Sequence, residues 1–118
     1  MTLRLDHVQV VVPRAQEAAA KAFYGLLLGL PEIAKPPGPR QHEGAWYDAG
    51  AVQLHLALEE IDPVAPRPRR PHVGFLVDDP AALERRLADA GVAVEPDGAR
   101  FFVRDPAGNR IEIARRSG

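Results

Sequence analysis

Two short stretches decide the fold: Val52-Gln53-Leu54-His55-Leu56 and Asn109-Arg110-Ile111-Glu112-Ile113, which align without a gap at an offset of 57 positions. From Gln53 and from Arg110 onward, polar and apolar residues alternate. That is the period of a strand with one buried and one polar face. Just before them come Ala49-Gly50 and Asp105-Pro106-Ala107-Gly108-Asn109, both turn compositions. The same offset sets Asp48 on Asp105. Upstream of each turn lies another strand segment, Ala45 to Asp48 and Phe101 to Arg104. Further out, His7-Val8 and His72-Val73 open β-branched runs 65 positions apart. A helix follows each run. The first covers Arg14 to Leu30, with Ala19, Phe23, Leu26, Leu27 and Leu30 at helical spacing and Gly29 and Pro31 closing it. The second is capped by Asp79, begins at Pro80, buries Leu83, Leu87 and Ala90, and stops at Gly91. A short strand over Val92 to Glu95 follows it. Two copies of β-α-β-β(-β) are the simplest account, the first copy longer by the loop Pro36 to Arg40.

Proline marks the joints. Eight of the 12 prolines fall in two clusters, Pro31 to Pro39 and Pro63 to Pro71. Proline lacks the N–H that ladders and helix interiors use, so both clusters are connections. The chain therefore divides into module one, 1–60, a linker, 61–70, and module two, 71–118, within a single domain. With 118 residues, 46% hydrophobic and 26% charged, it is globular in composition. No apolar run reaches the roughly 18 residues of a membrane span. A net charge of −1 weighs against a nucleic-acid partner. No cysteine is present, so thiolate sites and disulfides are excluded. Asp6 and His7 stand where an export signal would be apolar, and a cytoplasmic protein is expected.

Strand alternation sorts the candidate chemistry. His7 and Gln9 share one face of the first strand, opposite Val8, Val10 and Val12. His55, His72 and Glu112 each sit on the less apolar face of their own strand. A lone strand histidine is usually packed or solvated. Four donors at equivalent repeat positions instead read as one ligand set, His7, His55, His72 and Glu112. Imidazole and carboxylate together suit one divalent ion such as Zn, Ni, Mn or Fe, with positions left open for substrate. Glu43 and Glu95 are candidate bases, because proton abstraction needs a carboxylate near the ion. Gln9, Trp46, Arg100, Phe102 and Arg104 are candidate substrate contacts, and His42 is read as a loop residue.

With these residues in place the chain resembles the vicinal oxygen chelate superfamily, also called the glyoxalase/bleomycin-resistance/dioxygenase superfamily. The resemblance runs through Leu5-Asp6-His7-Val8, Phe23-Tyr24, Leu28-Gly29-Leu30, Gln53-Leu54-His55-Leu56, Pro71-His72-Val73 and Asp105 to Glu112. It implies an α+β fold of two βαβββ modules forming a curved, cup-shaped sheet with helices on the outer face. It also implies metal ligands at the four positions already singled out, and a homodimer. The expected function is divalent-metal-dependent, glyoxalase-like chemistry on a small substrate with vicinal oxygens, through a metal-chelated enediolate-like intermediate. His55 stands where glyoxalase I usually has a glutamate that takes part in proton transfer. One alternative is a metal-free, bleomycin-resistance-type binding protein. Another is an extradiol dioxygenase-like enzyme, whose two histidines and glutamate match His7, His72 and Glu112.

Overall fold

The computed structural model describes residues 1–62 and 70–116. Most of the expected linker, residues 63–69, lies outside the described residues. The chain divides into two compact units, Met1–Ala65 and Pro66–Gly118. Each is a βαβββ module, so the fold is α+β. Among the described residues no helix is long and apolar enough to cross a membrane.

In the first unit the strands are β1 (His7–Pro13), β2 (Glu32–Ile33), β3 (Ala45–Asp48) and β4 (Gln53–Glu59). Their order in the sheet is β1-β4-β3-β2. Strands β1 and β4 run parallel, which demands a crossover, and helix α1 (Glu17–Lys21) with its flanking turns supplies it. Val10, Val12, Ala45, Tyr47, Leu54 and Leu56 fill the core on the helix side with Ala20, Phe23 and Tyr24. The helical stretch is not the uniform helix expected for Arg14 to Leu30. It begins as a tight 3-10 turn at Arg14–Gln16 and ends as a widened π-type segment, Ala22–Leu27. There Leu28 N donates to Phe23 O. The widening accompanies burial of two consecutive aromatics, Phe23 and Tyr24, with Tyr47 lying 3.5 Å from where a Cβ on Gly25 would stand. Gly29, at φ 74°, then turns the chain out.

The second unit repeats the plan with β5 (His72–Val77), α2 (Pro80–Asp89), β6 (Glu95–Asp97), β7 (Arg100–Arg104) and β8 (Arg110–Arg115). The order is β5-β8-β7-β6, with β5 and β8 parallel. Asp79 Oδ1 accepts from Ala82 N, the expected cap, and Leu83 and Leu87 are buried. Phe101, Val103, Ile111 and Ile113 are buried from the sheet. The strand expected at Val92 to Glu95 starts later, at Glu95. Gly91 N and Val92 N still bond back to Ala88 O and Leu87 O, so the helix exit uses those residues. The two-residue β2 is not foreseen, because nothing in Glu32-Ile33 between prolines distinguishes it from loop.

Candidate functional site

Sheet register builds the polar face of each unit. In the first unit Gln9 pairs with His55 and His55 with Trp46, so all three stand in one row. His7, Gln53 and Asp48 form the row beside it. Three flat rings stack there. The His7 and His55 centroids are 4.1 Å apart at 11°, and those of Trp46 and His55 are 3.9 Å apart at 4°. His55 is thus enclosed on both ring faces and is 4% exposed. Burial, then the neighbouring His7 ring, pushes its pKa below the ordinary imidazole value, which keeps it neutral.

Hydrogen bonds fix the tautomers. A carboxylate or carbonyl oxygen only accepts, so the ring nitrogen facing it carries the proton. His7 Nδ1 donates to Asp6 Oδ2 at 2.7 Å, leaving Nε2 bare in the neutral ring. His55 Nε2 donates to Gln53 Oε1 at 2.9 Å, leaving Nδ1 bare. An imidazole lone pair lies in the ring plane. Two nearly parallel planes separated by the stacking distance aim their lone pairs past each other. While stacked, His7 and His55 do not share an ion; sharing one requires the more exposed His7 to turn.

In the second unit Gly74, Glu112, Phe102 and Glu95 form one row, and His72, Arg110 and Arg104 the next. His72 Nδ1 donates to Arg70 O at 2.8 Å, so Nε2 is bare and faces Glu112 Oε2 at 3.5 Å. Two donors each roughly 2.0–2.1 Å from a tetrahedral ion stand about 3.3 Å apart. The pair therefore fits a first-row ion, with the carbonyl of Arg70 orienting the ring from behind. Gly74 provides the clearance: a Cβ there would lie 3.2 Å from Oε2. The other carboxylate oxygen accepts from Arg100 Nη1 at 2.8 Å, and Arg100 also reaches Asp97.

The remaining expected residues separate clearly. Glu95 is exposed and shares the row of Phe102 and Glu112. Glu43 is ion-paired to Arg14 at 2.9 Å. Arg104 donates to Gly108 O, and Phe102 is buried under Arg110 and against the edge of His72. Taken together, each unit brings two of the four expected donors side by side. Among the described residues no group of three or more His, Cys, Asp or Glu stands close enough to hold a metal ion.

Sequence reasoning missed a groove of about 590 Å³ on the helix side of the first unit, lined by Lys21, Gly25, Leu26, Glu32 and Tyr47. The Tyr47 hydroxyl is buried with no hydrogen-bond partner among the described residues, and burial pushes its pKa up to about 12. Only the paired apolar positions around Tyr47 hint at this in the sequence, and they read as core.

Comparison with known proteins supplies the relatives. Residues 4–113 match the family model of the Glyoxalase/Bleomycin resistance protein/Dioxygenase superfamily. A protein from Bacillus anthracis assigned to the glyoxalase family is 34% identical, superposes with a TM-score of 0.84, and is matched over 99% of this chain and 98% of its own. Lactoylglutathione lyase from Agrobacterium tumefaciens is 25% identical with a TM-score of 0.69, over 95% and 92% of the two chains. The bleomycin-binding protein of Streptomyces verticillus, solved with copper(II)-bleomycin, is 22% identical with a TM-score of 0.67, over 99% of both, and shares the fold. No functionally curated relative matches the sequence. The repeated βαβββ plan, the closing hairpin and the family match agree that this chain belongs to the glyoxalase/bleomycin resistance/dioxygenase superfamily.

Proposed function

We propose that the chain is a divalent-metal-dependent enzyme of the glyoxalase-like type, acting on a small substrate with adjacent oxygens, with His7, His55, His72 and Glu112 as its metal ligands. The observation that carries this is the His72–Glu112 pair, a bare imidazole nitrogen 3.5 Å from a carboxylate oxygen across a gap kept open by Gly74. An ion bound there supplies Lewis-acid polarisation of the substrate's oxygens. Everything else falls to the side chains. Glu95, exposed in the Glu112 row, takes a substrate proton on its carboxylate, and Glu43 is the weaker base because Arg14 already occupies it. Arg100 and Phe102 hold Glu112 and His72 in place, while Gln9, Trp46 and Arg104 contact substrate. The working form is a cytoplasmic homodimer.

Elemental analysis of tag-free protein loaded with Zn, Ni, Mn or Fe(II) tests the proposal. About one ion per chain in the wild type and none in His72→Ala is expected, since a site of this kind loses its ion with a ligand. Such a result leads to assays with 2-oxoaldehydes, fosfomycin and catechols. Equal metal in both proteins, or none in either, sinks it.

A second reading is favoured by the ring stack. A metal-free binding protein would use Trp46, His55 and His7 as a flat aromatic surface for a planar ligand. Its mark is a ligand-induced rise in melting temperature that survives a chelator.

A further inference from the structure

The geometry points to Arg110 as the anchor for a carboxylate on the substrate, which narrows the substrate to a small organic acid. The role of that acid as a substrate rests on the proposed function; its binding at Arg110 does not.

Arg110 lies next to His72 in register and on the same face as Glu112. Its Cζ stands 3.7 Å over the Phe102 ring, a stacking distance. Stacking occupies the face of the guanidinium and leaves its N–H edge, which matches the two oxygens of a carboxylate. Among the described residues that edge meets no anion: the Arg110 side chain makes no ion pair and no hydrogen bond. The nearby carboxylates are already committed. Glu112 is held by Arg100 and faces His72, and Asp105 accepts from Ala107 N, Asn109 N and Asn109 Nδ2. Arg104, directly opposite Arg110, adds like charge to the row rather than compensating it. A fixed, half-buried cation with a free fork, beside a metal-ligand pair, is built to receive an anion. The Phe102 ring beneath it is itself buried and stands perpendicular to the His72 ring, so the fork is held at one height above the sheet. Only a substrate short enough to place its oxygens beside His72 while its carboxylate reaches Arg110 uses both.

The test is a titration of chelator-treated protein with glycolate and with its uncharged amide, glycolamide, followed through the Arg110 Nε–Hε resonance. Glycolate should bind at least about tenfold more tightly than glycolamide, the margin of a charge-assisted pair, and should shift that resonance. Arg110→Met, which keeps an apolar cover on Phe102, should erase the preference. Arg110→Lys, which keeps the charge but not the fork, should retain part of it. Arg115→Met, with the same loss of charge on the opposite face, should leave it intact. Equal binding of glycolate and glycolamide, no binding of either, or a preference that persists in Arg110→Met overturns the assignment. Because no metal is present, failure of the metal proposal leaves this result standing, and the reverse also holds.

Discussion

The two units share strand order and register, yet their equivalent rows arrange their side chains differently. Gln9–His55–Trp46 in the first corresponds to Gly74–Glu112–Phe102 in the second, and His7–Gln53 to His72–Arg110. In the first unit the row closes into a stack of flat rings, and the lone pairs of His7 and His55 lie in separate, nearly parallel planes. In the second, Gly74 leaves a gap, and a carboxylate and an imidazole face each other across it. Backbone pairing fixes where a side chain stands. Its cross-strand neighbours decide whether it is packed away or offered to a ligand.

The largest expected effects test whether the units are equivalent in packing. Leu54 and Ile111 occupy the same repeat position, and both are fully buried. Leu54→Ala and Ile111→Ala should each cost about 2–5 kcal/mol, from lost transfer energy and a residual cavity. Denaturant unfolding measures the loss, and amide hydrogen exchange assigns it to a unit. Losses differing by more than about 2 kcal/mol would show that the repeat is one of topology without matched cores.

A smaller effect separates the two faces. Trp46→Ala removes one side of the ring stack and should lower stability by about 1–3 kcal/mol, combining lost area with lost stacking. Metal loading through His72 should survive it. Gly74→Ala should do the opposite: a melting temperature within about 4 °C of wild type, because alanine suits a strand better than glycine. Its Cβ, 3.2 Å from Oε2, should push Glu112 aside and weaken metal binding. If Trp46→Ala abolished metal loading while Gly74→Ala spared it, the contrast between the faces would be reversed.

How much of this is legible in the sequence depends on what sequence encodes locally. The alternation around His55 and Glu112 reveals the strands and their polar faces, because period two is a property of the backbone. The offset that aligns Asp48 with Asp105 finds a shared role. Oδ1 of each accepts from the N–H two residues on, Gly50 and Ala107. It does not find the register, since the ladder sets Asp48 against Gln53 and Arg104, not Asp105, against Arg110. The ring stack is not legible either. It depends on Trp46 falling directly opposite His55, which only the β3–β4 pairing determines. Nor does Arg110 stand out, because its significance lies in what its neighbours have already claimed.

The smallest expected effect is a pH dependence that originates at His55 in the first unit's ring stack. His55 has its proton affinity lowered, chiefly by burial and next by His7. Above the ordinary value of 6.5 the ring is neutral in both folded and unfolded chains and contributes nothing to the slope. Below it, the unfolded chain takes up a proton that the folded chain refuses. Stability therefore falls with acid, starting near 6.5 and continuing down to the lowered folded value. Melting curves of metal-free protein between about pH 7.5 and about pH 5 should show this decline. His55→Phe keeps a ring between His7 and Trp46 but cannot titrate, so its curve should be flatter over the same interval. Identical slopes for the two proteins would mean that His55 is not held neutral by the stack. Burial between His7 and Trp46 would then not set the protonation of that ring, and the contrast between the two faces would lose one of its supports.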